Sequence, residues 1–325
     1  MADQPELALV ADIGGTNVRF ALADLGMADT PLSAERVYRT ADFPRLENAL
    51  AAYVAETGAD APPQTAALAV ASPVRGDRIE LTNRAWSFSC SGLRERFGFR
   101  RIRVLNDFAA IAHALPFLGP GDVRRIGGPQ AEVPARVMAV IGPGTGLGVA
   151  ALVETPAGYR IIDSEGGHVS FAPADEVEAG ILRLLQGRFG HVSCERLLSG
   201  PGLVNVHRAL AELENVDAGG PDPAEIVRRA LSGEDRLCAA ALERYCAILG
   251  GFAGDTALMF GAGRIFVGGG IVPRFADVLA RSEFRARFEA KGRFAALLCT
   301  VPADVITRPQ PGLLGAAKAL KAEAG

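Results

Sequence analysis

Residues 7–13, LALVADI, form an apolar run interrupted only by Asp12. Gly14-Gly15-Thr16 follows, and then Val18, Phe20 and Leu22 alternate with Arg19, Ala21 and Ala23. A period of two on either side of a glycine turn predicts a β-hairpin, with Asp12 placed just ahead of the turn. The same design returns about 130 residues later, where the apolar run 137–141 enters Gly142-Pro143-Gly144-Thr145-Gly146 and a second strand leaves through Val149, Ala151 and Val153. Two such hairpins predict two related lobes.

Between the hairpins the pattern predicts a helix over 43–56, a strand over 65–71, turns at Ser72-Pro73 and Gly76-Asp77, and a short strand at 79–81. Residues 102–105 read as a buried strand that ends in Asn106-Asp107, after which Phe108, Ile111, Ala112 and Leu115 recur at helical spacing. Beyond the second hairpin, a strand at 159–162 leads to Ser164-Glu165-Gly166-Gly167-His168, and a helix is expected over 175–189 with Gly190 closing it. Ser193 reads as the N-cap of a further helix with Glu195 in its first turn. Ser199-Gly200-Pro201-Gly202 reads as a break, with the helical pattern resuming over 203–213. Asp222-Pro223-Ala224-Glu225 opens a helix to 231, and 237–260 form a long apolar helix whose Gly250, Gly251 and Gly254 suggest a closely packed neighbour. A strand at 264–267 runs into Gly268-Gly269-Gly270, and a small-residue helix starting at Pro311 is expected to return to the other lobe.

Composition narrows the class. A chain of 325 residues, 49% hydrophobic, is long enough for two domains. A net charge of −3 offers no electrostatic footprint for nucleic acid or for an anionic membrane. Five scattered cysteines without a C-x-x-C pair indicate neither a disulfide framework nor a zinc site, and fit a reducing cytoplasm. The opening residues Met1 to Glu6 carry acid rather than the basic start of a signal peptide. The longest uncharged run, 137–153, contains Pro143 and four glycines, so it reads as strand-turn-strand and not as a membrane span.

Several residue groups carry candidate chemistry. Asn106 and Asp107 sit at the carboxyl end of a strand, where α/β sheets hold ligands; Asp107 is either a helix cap or a catalytic carboxylate. Glycine turns let backbone amides approach an anion, and Thr16 and Thr145 can each add a hydroxyl donor. No G-x-x-x-x-G-K-[ST] occurs, and a strand rather than a helix follows the glycines, which excludes a Walker loop and the dinucleotide fingerprint alike. Glu165 and His168, three apart across two glycines, either form a polar turn or face one small polar ligand; they lack the companions of a metal site. Asn83 is a loop residue able to contact a ligand or to make a local turn. The triple glycine 268–270 is either a tight turn or a surface against which a ring or ribose can lie.

Taken together, Ala11-Asp12-Ile13-Gly14-Gly15-Thr16-Asn17, Leu105-Asn106-Asp107-Phe108, Gly142 to Gly148, Glu165-Gly166-Gly167-His168, Glu195 to Gly200 and Gly268 to Pro273 resemble, in order and nearly end to end, a bacterial-type glucokinase of the hexokinase, actin and heat-shock-protein ATPase superfamily. The resemblance implies an α/β, two-lobed actin-like ATPase fold (ribonuclease H-like) with a mixed sheet in each lobe and an interlobe cleft. It places a smaller lobe at 1–117 plus 309–325, and at 118–308 a larger one carrying most of the sugar- and adenosine-binding residues. It implies Asp107 as general base for the sugar 6-hydroxyl, with Asn106, Glu165, His168 and Glu195 as sugar ligands, to which the loop reading adds Asn83 as a candidate. Asp12 would hold Mg2+ through water, while Gly14, Gly15, Thr16, Asn17, Gly144, Thr145 and Gly146 bind the ATP phosphates and Gly268, Gly269 and Gly270 the nucleoside. The resemblance implies a homodimer, and no bound zinc is expected, because Gly190 to Glu195 has one cysteine where the related repressor-and-kinase group carries a cysteine-rich motif. A sugar-responsive regulator on this fold would need a helix-turn-helix ahead of the first hairpin, yet the first strand begins near Leu7. An actin-like or chaperone ATPase would share the phosphate hairpins without needing the sugar cradle.

Overall fold

The computed structural model describes residues 6–58, 62–81, 86–130 and 135–322. It divides into two compact units, one comprising Met1–Gly119, Glu154–Asp163 and Arg308–Gly325, the other Pro120–Val153 and Ser164–Thr307.

The first unit opens with β1 (Leu7–Ile13) and β2 (Asn17–Asp24), then β3 (Leu32–Arg39), α1 (Leu46–Glu56) and β4 (Thr65–Val70). A small hairpin, β5 (Arg78–Glu80) with β6 (Ser87–Ser89), precedes α2 (Cys90–Phe97), β7 (Arg101–Asn106) and α3 (Asp107–Ala114). The sheet order is β3-β2-β1-β4-β7. The expected hairpin is present, with Leu7 opposite Asp24 and Ile13 opposite Val18, while β4 lies parallel to both β1 and β7.

Strand β1 is central and buried on both faces, so both sets of alternate residues are apolar. Leu9, Ala11 and Ile13 pack with Phe20, Leu50 and Tyr53. Ala8 and Val10 share the opposite face with Ala67, Ala69 and the C-terminal helix Pro311–Ala322. Small residues on that face let two helices approach closely: a Cβ at Gly315 would stand 1.6 Å from the Ala110 carbonyl oxygen. The helix tail is tied by Arg101, which donates to the Leu320 carbonyl at 3.0 Å, and by Arg103, which donates to that of Ala319.

The second unit contains β8 (Val123–Gly127), β9 (Val137–Pro143) and β10 (Leu147–Thr155), and β11 (Gly158–Ser164) follows in the chain. Next come α4 (Glu176–Phe189), α5 (Gly200–Glu214), α6 (Pro223–Ser232), α7 (Arg236–Phe260) and β12 (Arg264–Val267). Helices α8 (Ala276–Arg281), α9 (Phe284–Glu289) and α10 (Ala295–Cys299) precede β13 (Ala303–Ile306), and the C-terminal helix is α11. The strand order is β11-β10-β9-β12-β13-β8, with β12 parallel to β9 and to β13 and the outer pairings antiparallel.

Helix α7 is long and apolar enough to cross a membrane by length and composition, but 72% of its most apolar window is buried. It is the core helix of this unit, and two of its glycines admit α9: Cβ atoms at Gly250 and Gly254 would lie 2.1 and 2.4 Å from the carbonyl oxygens of Phe284 and Phe288. Gly251 has no such neighbour. Two expectations about helix starts are corrected. Ser199-Gly200-Pro201-Gly202 begins α5 instead of interrupting it, because Ser199 Oγ accepts from Gly202 N at 3.0 Å and Pro201 suits a first turn. Ser193 makes no side-chain cap bond, and only a 3₁₀ turn, Cys194–Arg196, follows it.

Candidate active site

In the first unit, alternation along β1 sets Asp12 on the face of Ala8 and Val10, at the strand's carboxyl end. Its partner across the hairpin is Arg19, whose Nη1 donates to Asp12 Oδ2 at 3.1 Å. The turn closes with Gly14 N donating to Asn17 O at 2.9 Å. Thr40 clamps it from outside, donating its hydroxyl to Gly15 O at 2.7 Å and its amide to Thr16 O at 3.0 Å. Thr16 is left exposed at the tip. Gly312, in the first turn of α11, lies against the Asp12 side chain, where a Cβ would come within 3.6 Å of Cγ.

Asn106 ends β7 and caps α3, its Oδ1 accepting from Phe108 N at 2.8 Å and Ala109 N at 3.3 Å. The cap is thus Asn106 and not Asp107, the first helical residue. With its oxygen committed to the helix, Asn106 offers its Nδ2 hydrogens to a ligand. Asp107 Oδ1 also accepts from Phe108 N, at 3.0 Å. Burial, reinforced by the negative charge of Asp12, pushes the Asp107 carboxyl up to about 7 against the pull of that amide. Burial raises Asp12 as well, and Arg19 opposes the rise. A carboxylate poised near neutrality can accept a proton from a hydroxyl within reach. Two carboxylates that repel one another beside a single guanidinium also make a hard-oxygen donor set suited to Mg2+.

In the second unit the glycine turn is the hub. Gly144 N donates to Gly146 O at 2.8 Å, and Gly144 O accepts from Gly200 N at the start of α5, also at 2.8 Å. Glu195 Oε2 accepts from Leu147 N at 2.9 Å and lies 3.9 Å from His168 Nε2. Glycines make this approach possible. A Cβ at Gly146 would fall 2.5 Å from Glu195 Oε2, and one at Gly167 would fall 2.0 Å from Leu147 O. The His168 and Glu195 segments are stitched together by Cys194 N to Val169 O and Phe171 N to Val192 O, each 2.9 Å.

Glu165 immediately precedes the 3₁₀ turn Gly166–His168, with its side chain exposed. Gly269, at φ 85°, presses against Pro143, where a Cβ would stand 2.2 Å from the carbonyl oxygen, and Gly268 N donates to Ile141 O at 2.8 Å. The unit therefore gathers the glycine turn with exposed Thr145, the triple glycine, His168 and Glu195. Asn83 lies outside the described residues. Arg19, Thr40 and Ser199 escaped the sequence reading; the signal for Arg19 was its place directly across the hairpin from Asp12.

A separate cluster, His207, Asp235 and Cys238, brings possible ligand atoms within 4.8 Å of one another. Asp235 Oδ1 is already engaged as the cap of α7, accepting from Leu237 N at 2.8 Å, and burial pushes the Cys238 thiol up to about 11. The group ties α5 to α7.

The family model for glucokinases matches residues 9–323. The chain belongs to the glucokinase family. A member from Chromobacterium violaceum is 47% identical over 315 residues, covering 95% of this chain and 88% of the relative. Among solved structures, a glucokinase from an Antarctic psychrotroph superposes with a TM-score of 0.86 at 39% identity, covering 98% of this chain and 99% of that one. The fold is shared more widely: a ROK-family glucokinase from Streptomyces griseus, solved with glucose and AMPPNP, gives a TM-score of 0.65 at 21% identity over 98% and 100% of the two chains.

Proposed function

We propose that the protein transfers the terminal phosphoryl group of ATP to the 6-hydroxyl of D-glucose, with Asp107 as general base. The single observation that carries this reading is the Asp107 carboxyl, raised to about 7 at the start of α3, in a chain of the glucokinase family. A sugar hydroxyl is a poor nucleophile, and a carboxylate with that proton affinity removes its proton as the phosphoryl group departs. Asn106 Nδ2, Glu165, His168 and Glu195 then serve as the hydroxyl partners, Glu195 and His168 as one preset pair. Leaving any of these partners unpaired once a bound sugar has covered it costs about 1–3 kcal/mol, which is the source of sugar selectivity.

Thr16 and Thr145, each at the exposed tip of its glycine turn, bind phosphates together with the turn amides, and the triple glycine receives the nucleoside. Asp12 would hold Mg2+ through water, and the bound ion would neutralise charge developing on the phosphates. We read the fold that carries this scheme as the two-lobed actin-like ATPase fold. We further assign the protein to the cytoplasm, as a homodimer acting at the entry to glycolysis; five cysteines without a disulfide among them agree with a reducing compartment.

The test is steady-state transfer from Mg-ATP to D-glucose, D-mannose, D-fructose, N-acetylglucosamine and N-acetylmannosamine. Glucose is expected to exceed every other sugar in kcat/KM. Preference for an N-acetylhexosamine would move the assignment to that kinase, and ATP turnover indifferent to all five sugars would contradict it.

A further inference from the structure

Helices α5 and α7 of the second unit bring together three side chains of different ligand chemistry that phosphoryl transfer leaves unused: His207, Asp235 and Cys238. Asp235 immediately precedes α7 and Cys238 lies three positions on, so both fall in one helical turn, and His207 meets them from the middle of α5. One ligand atom of each lies within 4.8 Å of the other two. His207 Nε2 stands 3.6 Å from Cys238 Sγ. Zinc bonds of about 2.1 Å to nitrogen and about 2.3 Å to sulfur, opened at the tetrahedral angle, would set those two atoms about 3.6 Å apart.

His207 and Cys238 are 1% and 0% exposed, and the half-buried Asp235 carboxylate closes the group toward solvent. Among the described residues, His207 Nδ1 is buried with no hydrogen-bond partner, so the polar neighbours of this ring are the sulfur and the carboxylate. Burial pulls the His207 pKa below its ordinary value, Asp235 opposing and Arg208 and Arg229 assisting, and a neutral imidazole has a lone pair to give a metal.

The cap amides of α7, Leu237 N and Cys238 N, both fall on Asp235 Oδ1, at 2.8 and 3.1 Å, which leaves Oδ2 outside the cap. Arg229 Nη1 lies 3.8 Å from Oδ2, but its guanidinium is paired more closely with Glu225, through Nε at 2.6 Å. Burial, reinforced by Asp235, keeps the metal-free Cys238 thiol protonated up to about 11, and coordination displaces that proton. A dication held by one carboxylate, one thiolate and one neutral imidazole carries no net charge, which lowers the cost of burying it.

We propose that His207, Asp235 and Cys238 bind one zinc ion, with the Cys238 thiol proton released to solvent and water completing the four ligands on the Asp235 side. Imidazole, thiolate and carboxylate together suit zinc and not magnesium or calcium. The ion ties α5 to α7. It lies outside the Gly190 to Glu195 segment on which the expectation of no zinc rests, and a search for paired cysteines passes over it because it uses one.

The test takes the full chain, stripped with a chelator and dialysed, and titrates it with Zn2+ and separately with Co2+. One equivalent of zinc is expected to remain bound at micromolar free metal, and Co2+ should give the near-ultraviolet absorption of a cobalt–thiolate bond. Cys238→Ser should abolish that absorption and weaken zinc by about a hundredfold, the upper end of what losing a supporting partner of a metal ligand costs. Asp235→Asn keeps the cap of α7, and it should weaken zinc about tenfold with the cobalt–thiolate absorption retained. If Cys238→Ser does not fold, Asp235→Asn decides the matter. Absence of tight zinc, absence of the cobalt–thiolate absorption, its survival in Cys238→Ser, or zinc affinity unaltered by Asp235→Asn would each overturn the proposal.

Discussion

At the residue scale, the account rests on how α3 begins. Asn106 caps the helix through the Phe108 and Ala109 amides, and Asp107 shares only the Phe108 amide, through Oδ1, which leaves its Oδ2 for chemistry. Because Asp107 holds its proton up to about 7, kcat/KM should climb as pH rises toward neutrality; a cation bound at Asp12 would shift that limb lower. The same shift has a stability consequence of known sign. The carboxyl titrates near 3.8 when unfolded and near 7 when folded, so the folded state holds the extra proton between those values. Stability from this group is full below the lower value, is lost as pH rises through the window, and is gone above about 7. Asp107→Asn should therefore be more stable than the parent at pH ~8 by about 1–2 kcal/mol and gain nothing at acid pH, as urea midpoints at the two pH values would reveal. For Glu195→Gln, weakening the bond to the Leu147 amide and the His168 pair should raise the glucose KM about tenfold with a smaller effect on kcat. Asp12, Asp107 and both glycine-threonine turns were legible in the sequence because each interrupts an otherwise apolar strand-end pattern. Arg19 and Thr40 were not, since an alternating strand residue and a loop threonine acquire their roles only through pairing partners 7 and 25 positions away.

At the element scale, close approaches decide which helix carries which group. The crossing of α3 and α11 at Gly315 and Ala110 joins the helix that starts with Asp107 to the one whose first turn abuts Asp12. Gly315→Ala has no room for its methyl and should cost about 2–4 kcal/mol, read as a fall in the denaturation midpoint with the sugar KM also disturbed. Ser199→Ala removes one cap bond of α5 and should cost about 1 kcal/mol. The strands read from periodicity, β1, β2, β4, β5, β7, β9, β10, β11 and β12, fell within about two residues of their observed ends, as did α4 and α7, whereas β3, β6, β8 and β13 were not read as strands at all. Helix starts were harder to read. Ser199-Gly200-Pro201-Gly202 looks like a break, but proline needs no amide in a first turn, and Gly202 is tolerated because it lies against the Leu197 backbone. Ser193, which resembles a cap, heads only a 3₁₀ turn.

At the scale of the whole molecule, two sheets, each containing a strand-turn-strand hairpin with a Gly-Thr tip, account for the two hairpins seen about 130 residues apart. If glucose binds the folded chain, saturation at about 100 times its Kd should stabilise the protein by about 2.7 kcal/mol, and Asp107→Asn should keep most of that gain because it removes a base and not a binding surface. The decisive measurement is the rate of glucose 6-phosphate formation from Mg-ATP by the parent and by Asp107→Asn, with glucose binding determined on the same two preparations. The account predicts a fall in kcat of about 10²–10⁴-fold with glucose affinity changed little. An Asp107→Asn protein that still phosphorylates glucose within a few-fold of the parent rate would contradict it.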